Sequence, residues 1–249
     1  MTTADRGNEH APSKLSTPWV FLMLTFGISW LFWIPTALSG KSIDTFPVSL
    51  LFYLGGVGPP LAGIILTYLT QGKEGRRKYW QRVIDFKCIG SRWYAVILLI
   101  IPALTALAIL LDILDGGSGA QFETAARFLN RPLKILPFSA FILLFGPLPE
   151  ELGWRGYELD RLQAKWNALT SSLVLGTAWS LWHFPLVFIE GTYQNGLGVG
   201  TLSFWLFMVA MLPESILMAW IYNNNRRSTL SDVMFHFMIN FTGELFTAT

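Results

Sequence analysis

From Pro18 to Leu38 the chain carries no charged side chain, and residues 46–70 carry none again. Residues 93–114 hold only Asp112, residues 169–189 only His183, and residues 201–222 only Glu214. Residues 133–145 open a further apolar segment, whose helical pattern turns more polar and continues to about Gln163. Residues 230–248 form a last one, with Asp232, His236 and Glu244 in it. A helix needs roughly 20 mostly apolar residues to cross about 30 Å of hydrocarbon. The pattern therefore predicts an all-α, polytopic integral membrane bundle of seven to eight transmembrane helices.

Composition agrees. Charged residues make up 14% of the chain and hydrophobic ones 52%, whereas a soluble domain carries about 25% charged residues. This excludes a disordered chain and a nucleic-acid-binding tail protein. A disulfide scaffold is excluded as well, because Cys88 is the sole cysteine. The formal net charge of +2 calls for no polyanionic partner. The first apolar run exceeds a signal-peptide core, and its flank mixes Asp5 and Glu9 with Arg6 and Lys14. It is expected to remain in the mature protein. Residues 1–17 then form a cytoplasmic N-terminal segment and residues 18–249 a single membrane domain without internal repeats.

Seven spans place the N-terminus, residues 71–92, 155–168 and 223–229 on one side. Of the 18 Lys and Arg residues, only Lys41, Arg127, Arg131 and Lys134 fall on the other side, leaving 14. Positive charge gathers on the cytoplasmic face, so the N-terminus is expected in the cytoplasm of a plasma-membrane protein. The basic stretch 71–92 suits a topology determinant in contact with anionic lipid.

A charge at the bilayer centre costs at least about 2.5–3.5 kcal/mol on insertion scales, so ionisable groups inside apolar helices are functional candidates. Glu151 and Arg155 are helical i,i+4 neighbours with the acid first, the better order for an ion pair. Glu150 projects about 100° away from Glu151 and stays free for other work. A Pro-Glu-Glu run also suits a plain helix start. His183 follows Trp179 by one turn, and Trp179 would wall a pocket there. A lone histidine would equally bond a neighbouring carbonyl. His236 and Asn240 share a face that Glu244 extends, which also describes a polar helix seam. Together, Glu150, His183 and His236 form a donor set known from catalytic zinc sites, with room for water. Asn240 suits an oxyanion donor. The chemistry that needs such a set is amide hydrolysis by activated water.

At these residues the chain resembles the CPBP family of intramembrane proteases, the CAAX-protease and bacteriocin-processing group that includes the type II CAAX prenyl endopeptidases. The motifs are Glu150-Glu151 with Arg155, Trp179 with His183, and His236 with Asn240. Phe is usual where Trp179 stands, a departure expected to leave the chemistry intact. The motif-bearing region is about residues 137–245, within a protease core of about residues 134–249. The resemblance implies a helical core around a polar, cytosol-facing cavity, with membrane lipid and a peptide or protein substrate as partners. It assigns Glu150 and His183 to water activation, His236 and Asn240 to the oxyanion, and Glu151 and Arg155 to support. It leaves open a zinc metalloprotease, with Glu150, His183 and His236 on Zn2+, or a glutamate-dependent enzyme; the substrate is a prenylated or other membrane-associated peptide.

Two rivals have weaker support. Gly116-Gly117-Ser118-Gly119 matches a rhomboid-type serine motif, but Ser118 sits in a polar loop rather than at the start of a buried helix. A transporter, immunity factor or scaffold would use Glu214 and Glu244 as a proton or cation path. The topology is directly testable through the single thiol. Cys88 should resist an impermeant maleimide added to intact cells and react once the membrane is opened; labelling from outside alone would invert the assignment.

Overall fold

The computed structural model describes residues 17–117 and 120–246, and every regular element among them is helical. Residues 1–16, Ser118 and the end of the last expected span, residues 247–248, lie outside the described residues. The helices are α1 (Pro18–Leu38), α2 (Val48–Gly55), α3 (Gly58–Thr70), α4 (Gly72–Ile84), α5 (Ser91–Leu114), α6 (Glu123–Asn130) and α7 (Ile135–Phe145). They continue with α8 (Pro147–Gly153), α9 (Leu159–Gln163), α10 (Ala168–Trp182), α11 (Tyr193–Gly196), α12 (Leu202–Asn224) and α13 (Thr229–Phe246).

Among the described residues, four stretches are long and apolar enough to cross a membrane: α1, α5, Pro132–Gln163 and α12. A fifth is the pair α2 and α3, bent by 43°. The bend falls where Gly55 and Gly56 meet Pro59 and Pro60. Proline suits the first turn of a new helix and cannot continue the old one. Length and composition thus identify five of the seven expected spans. The other two differ in kind. α10 has 15 residues and passes through His183 into a 3-10 turn, Phe184–Phe188. α13 has 18 residues and buries Asp232 and His236. α5 shows the opposite character: only Trp93 and Ile97 are buried, while Leu98, Leu99, Leu104, Leu107, Leu110 and Leu111 are exposed. Such an apolar surface is one that lipid covers. α10 and α13 pack against several neighbours each, so their polar residues meet protein rather than acyl chains.

The basic stretch 71–92 is mostly helix, not loop. α4 buries Tyr79 and Val83 and leaves Lys73, Arg77 and Lys78 exposed. The amphipathic spacing gives a helix with one face on the protein and a basic face outward.

Small residues set the close approaches. Without a hydrophobic drive between helices in lipid, packing requires that backbones come near each other. A methyl group on Gly153 of α8 would lie 2.4 Å from the Pro59 carbonyl oxygen of α3, and one on Gly63 would lie 2.8 Å from the Leu152 oxygen. This crossing seats α8 deep in the bundle. Gly176 does the same for α10 on α12, where a methyl would lie 2.8 Å from the Met211 oxygen. Side chains then fasten α1 to the end of α10: Trp182 Nε1 donates to Ser29 Oγ at 2.7 Å, and Trp30 Nε1 donates to the Trp182 carbonyl at 3.2 Å. Gly153→Ala must push backbone against backbone and should cost about 1–3 kcal/mol, the range for overpacking. Gly27→Ala, where a methyl meets open space, should leave the melting temperature in detergent unchanged or raised. Equal melting temperatures for the two variants would refute the close crossing.

Candidate active site

The helix that carries both motif glutamates begins abruptly. Gly146 interrupts α7, Pro147 starts α8, and the Glu150 N–H bonds the Gly146 carbonyl at 3.2 Å. After Gly153 the chain takes a π turn, Trp154–Glu158, closed by the Leu159 N–H on the Trp154 carbonyl. Such turns put carbonyls off the α-helical ladder and are frequent at functional sites. Two carbonyls here are taken by side chains of α4. Tyr79 Oη donates to the Leu152 oxygen at 2.8 Å, and Arg82 Nη2 donates to the Gly156 oxygen at 2.8 Å. Burial pushes the Tyr79 phenol well above its ordinary value, so it stays a donor. Arg82 also binds Asp160 Oδ2 at 2.7 Å and Tyr222 Oη, and Tyr222 in turn donates to Asp160 at 2.9 Å.

The expected ion pair is present. Arg155 Nη1 lies 3.0 Å from Glu151 Oε1, and both side chains have 0% exposure. Arg155 Nη2 reaches Ser215 Oγ of α12 at 3.5 Å. The same Glu151 oxygen accepts from His236 Nδ1 of α13 at 2.9 Å. His236 therefore sits on Glu151, a residue expected only to support, and not directly on Glu150. The reason is geometric: Glu151 points into the bundle, where α13 passes, while Glu150 lies a quarter-turn away and remains half-buried.

Trp179 joins the remaining groups. Its Nε1 donates to Glu150 Oε2 at 2.7 Å. Its carbonyl lies 2.8 Å from His183 Nδ1. A carbonyl only accepts, so His183 Nδ1 bears the proton and Nε2 keeps a lone pair. The indole also stands edge-on to His236, with centroids 5.1 Å apart, and the Arg155 guanidinium lies 4.8 Å from its ring centre. Trp182 and Phe207 pack around the His183 ring. Asn240 lies one turn beyond His236, half-buried, and a methyl at Gly146 would be 3.2 Å from its Nδ2. The absence of a side chain at Gly146 lets that amide approach the start of α8.

Glu150, His183 and His236 match zinc in donor type. In placement they do not: among the described residues, no group of three His, Cys, Asp or Glu side chains lies so as to hold an ion. Each imidazole gives Nδ1 to a protein acceptor and keeps Nε2, and Glu150 gives one oxygen to an indole and keeps the other, so the misfit is one of placement and not of occupied donors. Glu214 is half-buried beside Ser215, and Glu244 is exposed; no hydrogen bond joins them to each other. Ser215, and the group of Tyr79, Arg82, Asp160 and Tyr222, went unread in the sequence. The only signal for them was the apolar face of α4, on which Tyr79 and Arg82 are i,i+3 neighbours.

A family model described as type II CAAX prenyl endopeptidase, Rce1-like, matches residues 132–242, the region that holds all three motifs. The CAAX prenyl protease 2 of Methanococcus maripaludis is 32% identical over 234 residues, which covers 93% of this chain and 86% of that protein. With apolar helices exposing leucine-rich faces and the three motifs gathered around Trp179, the chain belongs to the Rce1-like family of type II CAAX prenyl endopeptidases.

Proposed function

We propose that this protein is a membrane endopeptidase in which Glu150 and His183 activate the attacking water. The observation that carries the reading is that one residue, Trp179, holds both: Glu150 by its indole N–H and His183 by its carbonyl. Glu150 has a second oxygen to take a proton from water, and His183 has the Nε2 lone pair to orient it. The hydroxide equivalent bonds to the scissile carbonyl carbon, and negative charge gathers on the carbonyl oxygen. Asn240, with an amide that makes no side-chain hydrogen bond among the described residues, then supports that oxygen, and His236 in its doubly protonated form, with Nδ1–H held by Glu151, donates to it from Nε2. The proton held by Glu150 passes to the leaving nitrogen as the C–N bond breaks.

A prenylated or otherwise membrane-associated peptide is the substrate in this reading. The relative from Methanococcus maripaludis is named for prenylated CAAX substrates. In this chain an apolar groove of about 570 Å³ runs between α1 and α10, lined by Leu22, Phe26, Val174 and Leu181 among others. It suits a lipid chain, and Ala178, the chain neighbour of Trp179, is in its wall. The excess of Lys and Arg on the side of α4 orients the N-terminus and α4 toward the cytoplasm.

With a farnesylated CAAX peptide in proteoliposomes, Glu150→Gln and His183→Ala should each abolish turnover while peptide binding persists. Asn240→Ala should slow it by about 10²–10³, the usual loss for one oxyanion donor. The double change at Glu150 and His183 should be little worse than either alone, since groups acting as a unit are not additive. Full activity in Glu150→Gln would end the reading. Arg155→Ala strands a buried Glu151 and should cost about 3–5 kcal/mol, as broken buried pairs do. Melting temperature and yield should fall with it; a variant normal in both would refute the pair's structural role.

A further inference from the structure

We infer that Trp179 is a positioning residue for catalysis, acting through its indole N–H on Glu150, and that this function is separable from the packing of its ring. The inference rests on the proposed role of Glu150. Trp179 is 1% exposed, so its N–H has no water to turn to and Glu150 is the acceptor it has. The bond of 2.7 Å is at the short end for N–H donors, the range of donors that meet a charged acceptor. It takes Oε2 and leaves Oε1 as the oxygen free to receive a proton. A half-buried glutamate otherwise has several rotamers at χ1, χ2 and a broad χ3. With one oxygen anchored, the other is held in a single direction, which is what proton transfer within about 3 Å requires.

The backbone of Trp179 serves His183 at the same time. The two halves of the proposed water-activating pair therefore share one rigid support on α10, itself seated on α12 through Gly176. Side-chain replacement removes only one of these two contacts, because the carbonyl stays. The ring face under Arg155 and the edge against His236 need an aromatic, but not a nitrogen.

Trp179→Phe tests the separation. It keeps an aromatic ring and the carbonyl and deletes the N–H. With a farnesylated CAAX peptide, kcat should fall by about 10- to 100-fold, the effect of one hydrogen bond to a charged group. KM should stay within about twofold and the melting temperature within a degree or two, because the bond positions a reacting group rather than the substrate. A merely structural residue would move stability and leave the kcat-to-KM split unmarked. Should Trp179→Phe lower stability, the benzothiophene analogue of tryptophan placed at position 179 alone decides, since it swaps N–H for sulfur at nearly constant shape. A lowered kcat in that protein supports the inference; an unchanged kcat overturns it. Unimpaired turnover in Glu150→Gln itself would instead overturn the catalytic role of Glu150, a different outcome read in the same assay.

Discussion

Arg155 has no exposed surface, and a guanidinium does not give up its proton inside a protein. A permanent cation buried in an apolar bundle must be answered by its surroundings, and the site is assembled around that need. Glu151 answers it on the same helix, Ser215 from α12, and the ring face of Trp179 from α10. His236 of α13 then completes the shared Glu151 oxygen. One charge thus fixes the relative positions of four segments of the chain. Replacing such a pair by apolar residues is often neutral for stability. Its presence here is explained by what it orients, namely α13 with His236 and Asn240 on one side and Trp179 on the other.

A second support comes from outside the bundle. The π turn that follows Gly153 would leave carbonyls poorly satisfied in a region with little water. α4 supplies the donors, Tyr79 for Leu152 and Arg82 for Gly156. Arg82 is itself held by Asp160 and Tyr222. The amphipathic helix is therefore tied to the backbone just after the motif glutamates. The same α4 carries the exposed Lys73, Arg77 and Lys78, so its basic face and its structural face do separate work.

The parts of this architecture that sequence reveals are those written in local periodicity and spacing. The charge-free run of α1 and the i,i+4 relation of Glu151 to Arg155 are properties of adjacent residues, whereas residues 46–70 read as one run although the helix breaks near Gly56. What spacing does not carry is which helix lies beside which. That His236 bonds Glu151 is not legible in spacing, because it depends on the path of α13 past α8. α10 reads as a full span by its apolar content but ends after 15 residues, since His183 and Pro185 convert the chain to a 3-10 turn. The stretch 71–92 reads as a charged loop when charge alone is counted. Its helix emerges only when Tyr79 and Val83 are recognised as one face. The exchange of Phe for Trp at position 179 reads as neutral in a motif, since both are aromatic; the indole N–H matters only once Glu150 is seen beside it.

The two adjacent glutamates show how one helical step divides labour. A rotation of about 100° separates their side chains, enough to turn Glu151 toward Arg155 and His236 and Glu150 toward Trp179. Trp179 stands between the two environments. Its ring face receives the Arg155 cation and its N–H edge meets Glu150. A cation on the face of an aromatic ring draws on the ring's electron density, and in a low-dielectric setting neighbouring polar interactions polarise one another. The buried charge that holds the bundle together therefore also strengthens the donor that orients Glu150. Arg155 reaches the Glu150 carboxylate through the indole and not by direct pairing. That arrangement leaves Glu150 outside the Glu151–Arg155 ion pair, bonded to the indole alone among the described side chains.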